Sequence, residues 1–86
     1  MSVYVDAPIH RFRGMIMCHM MADTPEELHE MADKIGVARR HAQHKTLLHY
    51  DICKSKRSLA VGHGAIEIGR RQLANWMRQY REGTGV

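Results

Sequence analysis

The chain has 86 residues, with 13 Lys or Arg against nine Asp or Glu, seven His, and a formal net charge of +4. That length allows one domain, and a hydrophobic fraction of 44% supports a folded core. No apolar run approaches the ~20 residues of a membrane span, so no membrane partner is expected.

Val3-Tyr4-Val5 is a short β-branched and aromatic run that stops at the turn-forming cluster Asp6-Ala7-Pro8. Residues 9–14 (IHRFRG) read as a basic loop. Met15 to Ala22 (MIMCHMMA) is almost continuously apolar, with His19 its only polar member, and reads as a strand covered on both faces. Thr24-Pro25-Glu26-Glu27 opens a helix: Thr24 suits the N-cap, Pro25 the first helical position, and Glu27 completes a capping box. Leu28, Met31, Ala32 and Ile35 follow as one apolar stripe, and Gly36 is placed to end the helix in a left-handed conformation.

Val37 to Thr46 is a basic connection, and Leu47 to Ile52 a second strand. A helix is expected from about Cys53–Ser55 to Gly62 or Gly64, then a third interior strand at Ala65 to Ile68. The last helix spans about Arg70 to Arg81, with Leu73, Trp76, Met77 and Tyr80 on one face, and residues 82–86 form a frayed tail. This order predicts a single α/β domain over residues 1–86: one small sheet with parallel crossovers and three packed helices. Ligands of open α/β sheets bind beyond the carboxyl ends of parallel strands, and here those ends carry Asp6, Asp23 and Asp51.

The segment from Arg39 to Arg57 holds six Lys or Arg (Arg39, Arg40, Lys45, Lys54, Lys56, Arg57) against Asp51 alone, a charge of +5 that exceeds the net charge of the whole chain. Cationic donors beside a strand-to-helix junction suit an anionic, phosphate-bearing ligand. Ser55-Lys56-Arg57-Ser58, at the expected helix start, is the best phosphate cradle; without the glycines of a Walker motif it does not read as a nucleotide triphosphatase. Arg70, Arg71, Arg78 and Arg81 form a second basic cluster, but no helix-turn-helix or RNA-binding aromatic signature accompanies them.

Asp6, Asp23 and Asp51 each follow an apolar strand candidate. Converging, they would hold a divalent metal with His19 or His49; taken singly, they open a turn or cap a helix. His41, His44 and His49 match no zinc-site spacing. Cys18 and His19 point to opposite faces of a strand, which excludes them as a nucleophile–base pair. Cys18 and Cys53 belong to no CxxC or CxxH pattern and read as reduced thiols of a cytoplasmic protein, consistent with an opening MSVYVDAPIH that lacks a basic-then-apolar leader. So short a chain buries a modest fraction of its surface, so self-association into a homo-oligomer is expected to add stability.

YVD at Tyr4 to Asp6, CHMMAD at Cys18 to Asp23, EELHEMADKIG at Glu26 to Gly36, HYDI at His49 to Ile52 and SKRSLAVGHGAIEI at Ser55 to Ile68 resemble one family. It is a family of small proteins found largely in bacteriophages and bacterial genomes, a domain of unknown function. The resemblance implies a phage or prophage origin and a host-cytoplasmic setting, and directs attention to His19, Asp23, His49, Tyr50, Asp51 and Arg57.

Charge and resemblance together lead to the expectation of a small binding protein that holds a phosphorylated ligand, above all a nucleotide, without turning it over. In a phage, such a protein would sequester a host immune nucleotide signal. Ser55, Lys56 and Arg57 would grip phosphate, His49 and Tyr50 would bond or stack on base or ribose, and Arg39 and Arg40 would close from a loop. This reading needs neither catalytic residue nor cofactor. The alternative is a metal-dependent phosphoesterase or nuclease using Asp6, His19, Asp23, His49 and Asp51. A nonspecific nucleic-acid binder and a protein–protein inhibitor complete the alternatives.

Overall fold

The apolar run Met15–Ala22 becomes the central strand of one five-stranded mixed sheet. In the computed structural model, which describes residues 2–44 and 47–84 with side chains as far as residue 80, the strands are β1 (Val3–Val5), β2 (His10–Phe12), β3 (Met15–Ala22), β4 (Tyr50–Cys53) and β5 (Ile66–Glu67). The helices are α1 (Pro25–Ile35), α2 (Lys54–Gly62) and α3 (Arg70–Thr84), with a 3-10 turn at Arg39–His41. Lys45 and the side chain of Arg81, both counted above among the basic residues, lie outside the described residues.

The expected α/β class stands, as one sheet with three helices. Its pairing is mixed: β3 runs antiparallel to β1, β2 and β4, and only β1–β5 is parallel. Since β4 and β5 therefore run in the same direction, α2 is a crossover between the two edges of the sheet.

Residues 9–14 are not the loop expected from their charge. His10–Phe12 pairs with Met15–Met17, and Arg13 and Gly14 take φ values of 49° and 77°. Positive φ at both central residues of a two-residue hairpin loop matches the right-handed twist of the flanking strands. Strand β4 begins at Tyr50 rather than Leu47, preceded by an isolated antiparallel bridge between Gln43 and His49. Helix α3 continues through Thr84, so residues 82–84 belong to it and not to a tail.

Alternation along β3 divides its side chains. Cys18, Met20 and Ala22 are buried with Val5, Tyr50 and Ile52 against Leu28, Ala32 and Ile35 of α1 and Ala60 of α2. Helix α1 carries the anticipated signals. Thr24 Oγ1 accepts from the Glu27 amide (3.3 Å) and donates to its carboxylate (2.8 Å), while Gly36 closes the helix at φ 77°. The opposite face presents Met17, His19 and Met21 and is only partly covered, by α3. Trp76 of that helix donates to Asp23 (3.2 Å) and packs 5.8 Å from the Tyr4 ring. Among the described residues no helix is long and apolar enough to cross a membrane.

Candidate functional site

A break in β-pairing builds the site. Met17 pairs with both His10 and Cys53, and Met20 with both Val5 and Tyr50, so β1 and β2 share one edge of β3 while β4 takes the other. Between the Val5↔Met20 and His10↔Met17 pairs, residues 6–9 stand opposite only Cys18 and His19. The extra residues bulge outward, and such bulges re-aim side chains.

Here the re-aimed side chain is Asp6, which is buried. Its Oδ1 accepts the His19 backbone N–H at 2.7 Å, replacing the strand partner that β1 no longer supplies, and its Oδ2 lies 2.7 Å from His19 Nδ1. Arg57 Nε donates to the Asp6 carbonyl (2.8 Å) while Arg57 Nη1 pairs with Glu67 (2.9 Å), locking the bulge to α2 and β5. A carboxylate only accepts, so the shared proton sits on Nδ1, and in the neutral imidazole Nε2 carries the lone pair.

His49, the residue just before β4, repeats the arrangement. Its Nδ1 lies 3.0 Å from the Leu47 carbonyl oxygen, another pure acceptor, which again leaves Nε2 bare. Both Nε2 atoms face Asp51 Oδ1, at 3.7 Å from His19 and 3.6 Å from His49, distances too long for hydrogen bonds. The other Asp51 oxygen accepts from Gln43 Nε2 at 2.6 Å.

Three acceptor atoms from His19, His49 and Asp51 thus lie within 4.8 Å of one another, each oriented from behind by a hydrogen bond. Uncompensated, such convergence of lone pairs is repulsive; a cation between them reverses its sign. A tetrahedral ion with bonds of about 2.1 Å sets its ligand atoms about 3.4 Å apart, close to the separations found. Outer acceptors and donors behind each ligand are the usual companions of metal-bound histidine and carboxylate. A second grouping, Asp6, His10 and His19, is also close enough for a metal, but both Asp6 oxygens are already engaged by His19.

His19 separates two hollows. One, of about 500 Å³, is lined by His10, Phe12, Met17, Gln43 and Asp51 among others. The other, of about 180 Å³, lies under α3 between Met21, Leu47, Leu73 and Met77, with His49 at its wall. The His10 ring stands 4.8 Å from that of His19 and makes no hydrogen bond among the described residues.

Of the residues named for a metal, the fold brings together Asp6, His19, His49 and Asp51. Asp23 is engaged elsewhere, by Tyr4 Oη, Trp76 Nε1 and the Ser2 amide. The seven residues named for a phosphorylated ligand are not gathered into one cleft. Tyr50 points opposite to His49, wholly buried, with its hydroxyl 2.6 Å from His29 Nδ1. Arg39 pairs with Asp33 (2.8 Å), and this partner holds the Asp33 carboxyl below its usual range; Arg40 is exposed in the same 3-10 turn. Ser55 Oγ lies 3.2 Å from Cys53 Sγ, and Lys56 Nζ reaches Gly36 at the end of α1, where a helix dipole favours a cation.

His10 and Gln43 escaped the sequence reading. The Arg13-Gly14 pair between alternating runs was the available signal for the His10 strand; nothing local marks Gln43. The cysteines stay apart, Cys18 pairing with Ile52 and Cys53 with Met17 on opposite faces.

A family model described as "Protein of unknown function (DUF4031)" matches residues 3–80, and the chain belongs to that family. Neither a curated protein nor a solved structure matches it.

Proposed function

We propose that this member of the DUF4031 family is a metal-dependent phosphoesterase whose single divalent cation is held by His19 Nε2, His49 Nε2 and Asp51 Oδ1. The observation that carries this reading is the convergence of three acceptors, each fixed from behind, with no donor among the described residues between them. Two imidazoles and one carboxylate suit Zn²⁺, Mn²⁺ or Fe²⁺ and leave coordination positions for water and substrate. Bound there, the ion would supply an activated water and polarise a phosphoryl oxygen. Attack of that water oxygen on phosphorus would break the ester P–O bond, the water giving up a proton to solvent and the departing oxygen taking one up. His10, unengaged and beside His19, stands where it would donate that proton. A chain of charge +4 favours anionic substrates.

Metal analysis of the purified protein with turnover of bis(p-nitrophenyl) phosphate tests this. Stoichiometric metal and metal-stimulated cleavage, both lost in Asp51→Ala, are expected; a wild-type protein that takes up no divalent ion would end the reading.

A second reading keeps the same pocket but no turnover: a nucleotide held intact, in a phage setting a sequestered host immune signal. The His10 and Phe12 rings lining the larger hollow favour it. Native mass spectrometry would then recover an unchanged nucleotide from the protein, and added metal would not release cleaved product.

A further inference from the structure

We infer that the substrate of this site is single-stranded nucleic acid, held by the β2–β3 hairpin. The inference rests on the phosphoesterase reading and adds the identity of what is cleaved. Phe12 is 55% exposed and Met15, its cross-strand partner, 45%, so the hairpin end presents an aromatic ring that the fold does not pack. By strand alternation Phe12 shares a face with His10 and, across the ladder, with Met17 and His19; it therefore looks out over the side of the sheet that carries the metal ligands. Both His10 and Phe12 line the hollow that also contains Asp51.

Charge follows the same line. The Arg13 guanidinium carbon lies 5.2 Å from the Phe12 ring centroid, Arg11 lines the same hollow as Phe12, and neither arginine side chain forms a hydrogen bond or ion pair among the described residues. Residues 9–15 hold two arginines and no carboxylate. An exposed aromatic ring flanked by unpaired cations is the combination that grips unpaired strands: a base stacks on the ring while phosphates meet the arginines. Phe12 stands one alternation step, about 6.8 Å of strand, beyond His10. That places a stacked base next to the phosphodiester at the ion.

A free mononucleotide would leave the hairpin cations without a phosphate partner. A duplex would keep its bases stacked on one another and unavailable to Phe12. His10, Arg11, Phe12 and Asp51 are all solvent-exposed, so the hollow is open along the hairpin and a polymer can enter and leave it. Nothing in these contacts reads a base edge, so binding is sequence-tolerant.

Fluorescence anisotropy with a labelled oligothymidylate of about twelve nucleotides tests the inference, with metal uptake measured on the same samples. Phe12→Ala is expected to weaken oligonucleotide binding about tenfold, Phe12→Trp to preserve it, and Arg11→Gln with Arg13→Gln to flatten the salt dependence by about one unit per arginine. Metal uptake should stay unchanged in all of them, and a duplex of equal length should bind more weakly. Equal affinity of Phe12→Ala and wild type overturns the inference, as does a preference for duplex or for heparin. These failures are distinct from failure of the metal reading, which would show as absent metal uptake by the wild-type protein.

Discussion

Asp6 holds His19 twice, through the backbone amide and the ring nitrogen, both at 2.7 Å. One carboxylate thereby repairs the strand pairing that the bulge interrupts and fixes which face of the imidazole remains free. Structure and proposed chemistry meet in that side chain, so its removal should affect both.

Asp6→Asn conserves volume but cannot accept at both oxygens. Loss of an orienting outer partner of a metal-bound histidine commonly lowers affinity about 10–100-fold. Isothermal titration with Zn²⁺ or Mn²⁺ should show a drop of that order, with thermal unfolding reporting a loss of about 1–3 kcal/mol for the disturbed buried bonds.

Asp51→Ala should behave differently. Asp51 is exposed and no core contact depends on it, so folding should change by less than about 0.5 kcal/mol while metal uptake disappears. Gln43→Ala, which frees only the rear oxygen, should fall between wild type and Asp51→Ala in metal affinity. A Gln43 variant that takes up no metal, or that binds it as tightly as wild type, would contradict the arrangement.

Tyr50→Phe distinguishes a core tyrosine from a ligand contact. Its hydroxyl bonds His29 on the α1 side of the sheet, away from His49. Stability should drop by about 1 kcal/mol, with affinity for metal and for oligonucleotide unchanged.

Charge reversal at Lys56 should leave metal uptake unaltered, because its ammonium lies at the end of α1 on the far side of the sheet. Arg57→Gln should instead destabilise the fold by about 1–3 kcal/mol, since it strips the Asp6 carbonyl of its donor and Glu67 of its partner.

The two thiols should differ in reactivity and in their effect on stability at alkaline pH. Burial pushes Cys18 up to about 12, whereas the Ser55 hydroxyl and the first amides of α2 lower Cys53. In native protein iodoacetamide should therefore modify Cys53 well before Cys18. A thiol raised in the folded state stabilises below its unfolded value near 9.0, and the unfolded chain gains the thiolate first as pH rises. The Cys18 contribution should thus fall away between 9.0 and about 12, seen as a declining unfolding temperature that Cys18→Ala does not reproduce.

Helix α1 was legible from sequence because every signal for it is local: the Thr24 cap, Pro25, Glu27, the apolar stripe and Gly36 lie within thirteen consecutive residues. The α/β class followed from the order of apolar runs and helix starts in the same way. Strand β2 was not legible, since three exposed residues between basic neighbours carry no burial pattern, and only pairing with β3 makes them a strand. The basic segment is divided for a related reason. Successive residues of extended backbone point to opposite faces, so His49 and Tyr50 part company; Arg39 pairs with Asp33, Arg57 with Glu67 and the Asp6 carbonyl, and Lys56 turns toward α1. The residue types of the candidate metal site are all in the chain, but His19 and Asp51 meet through the antiparallel register of β3 with β4, His49 joins as the residue that leads into β4, and Asp6 joins them through a bulge. Both are relations between segments far apart in sequence, decided by which strand edges pair, and no local pattern encodes that choice.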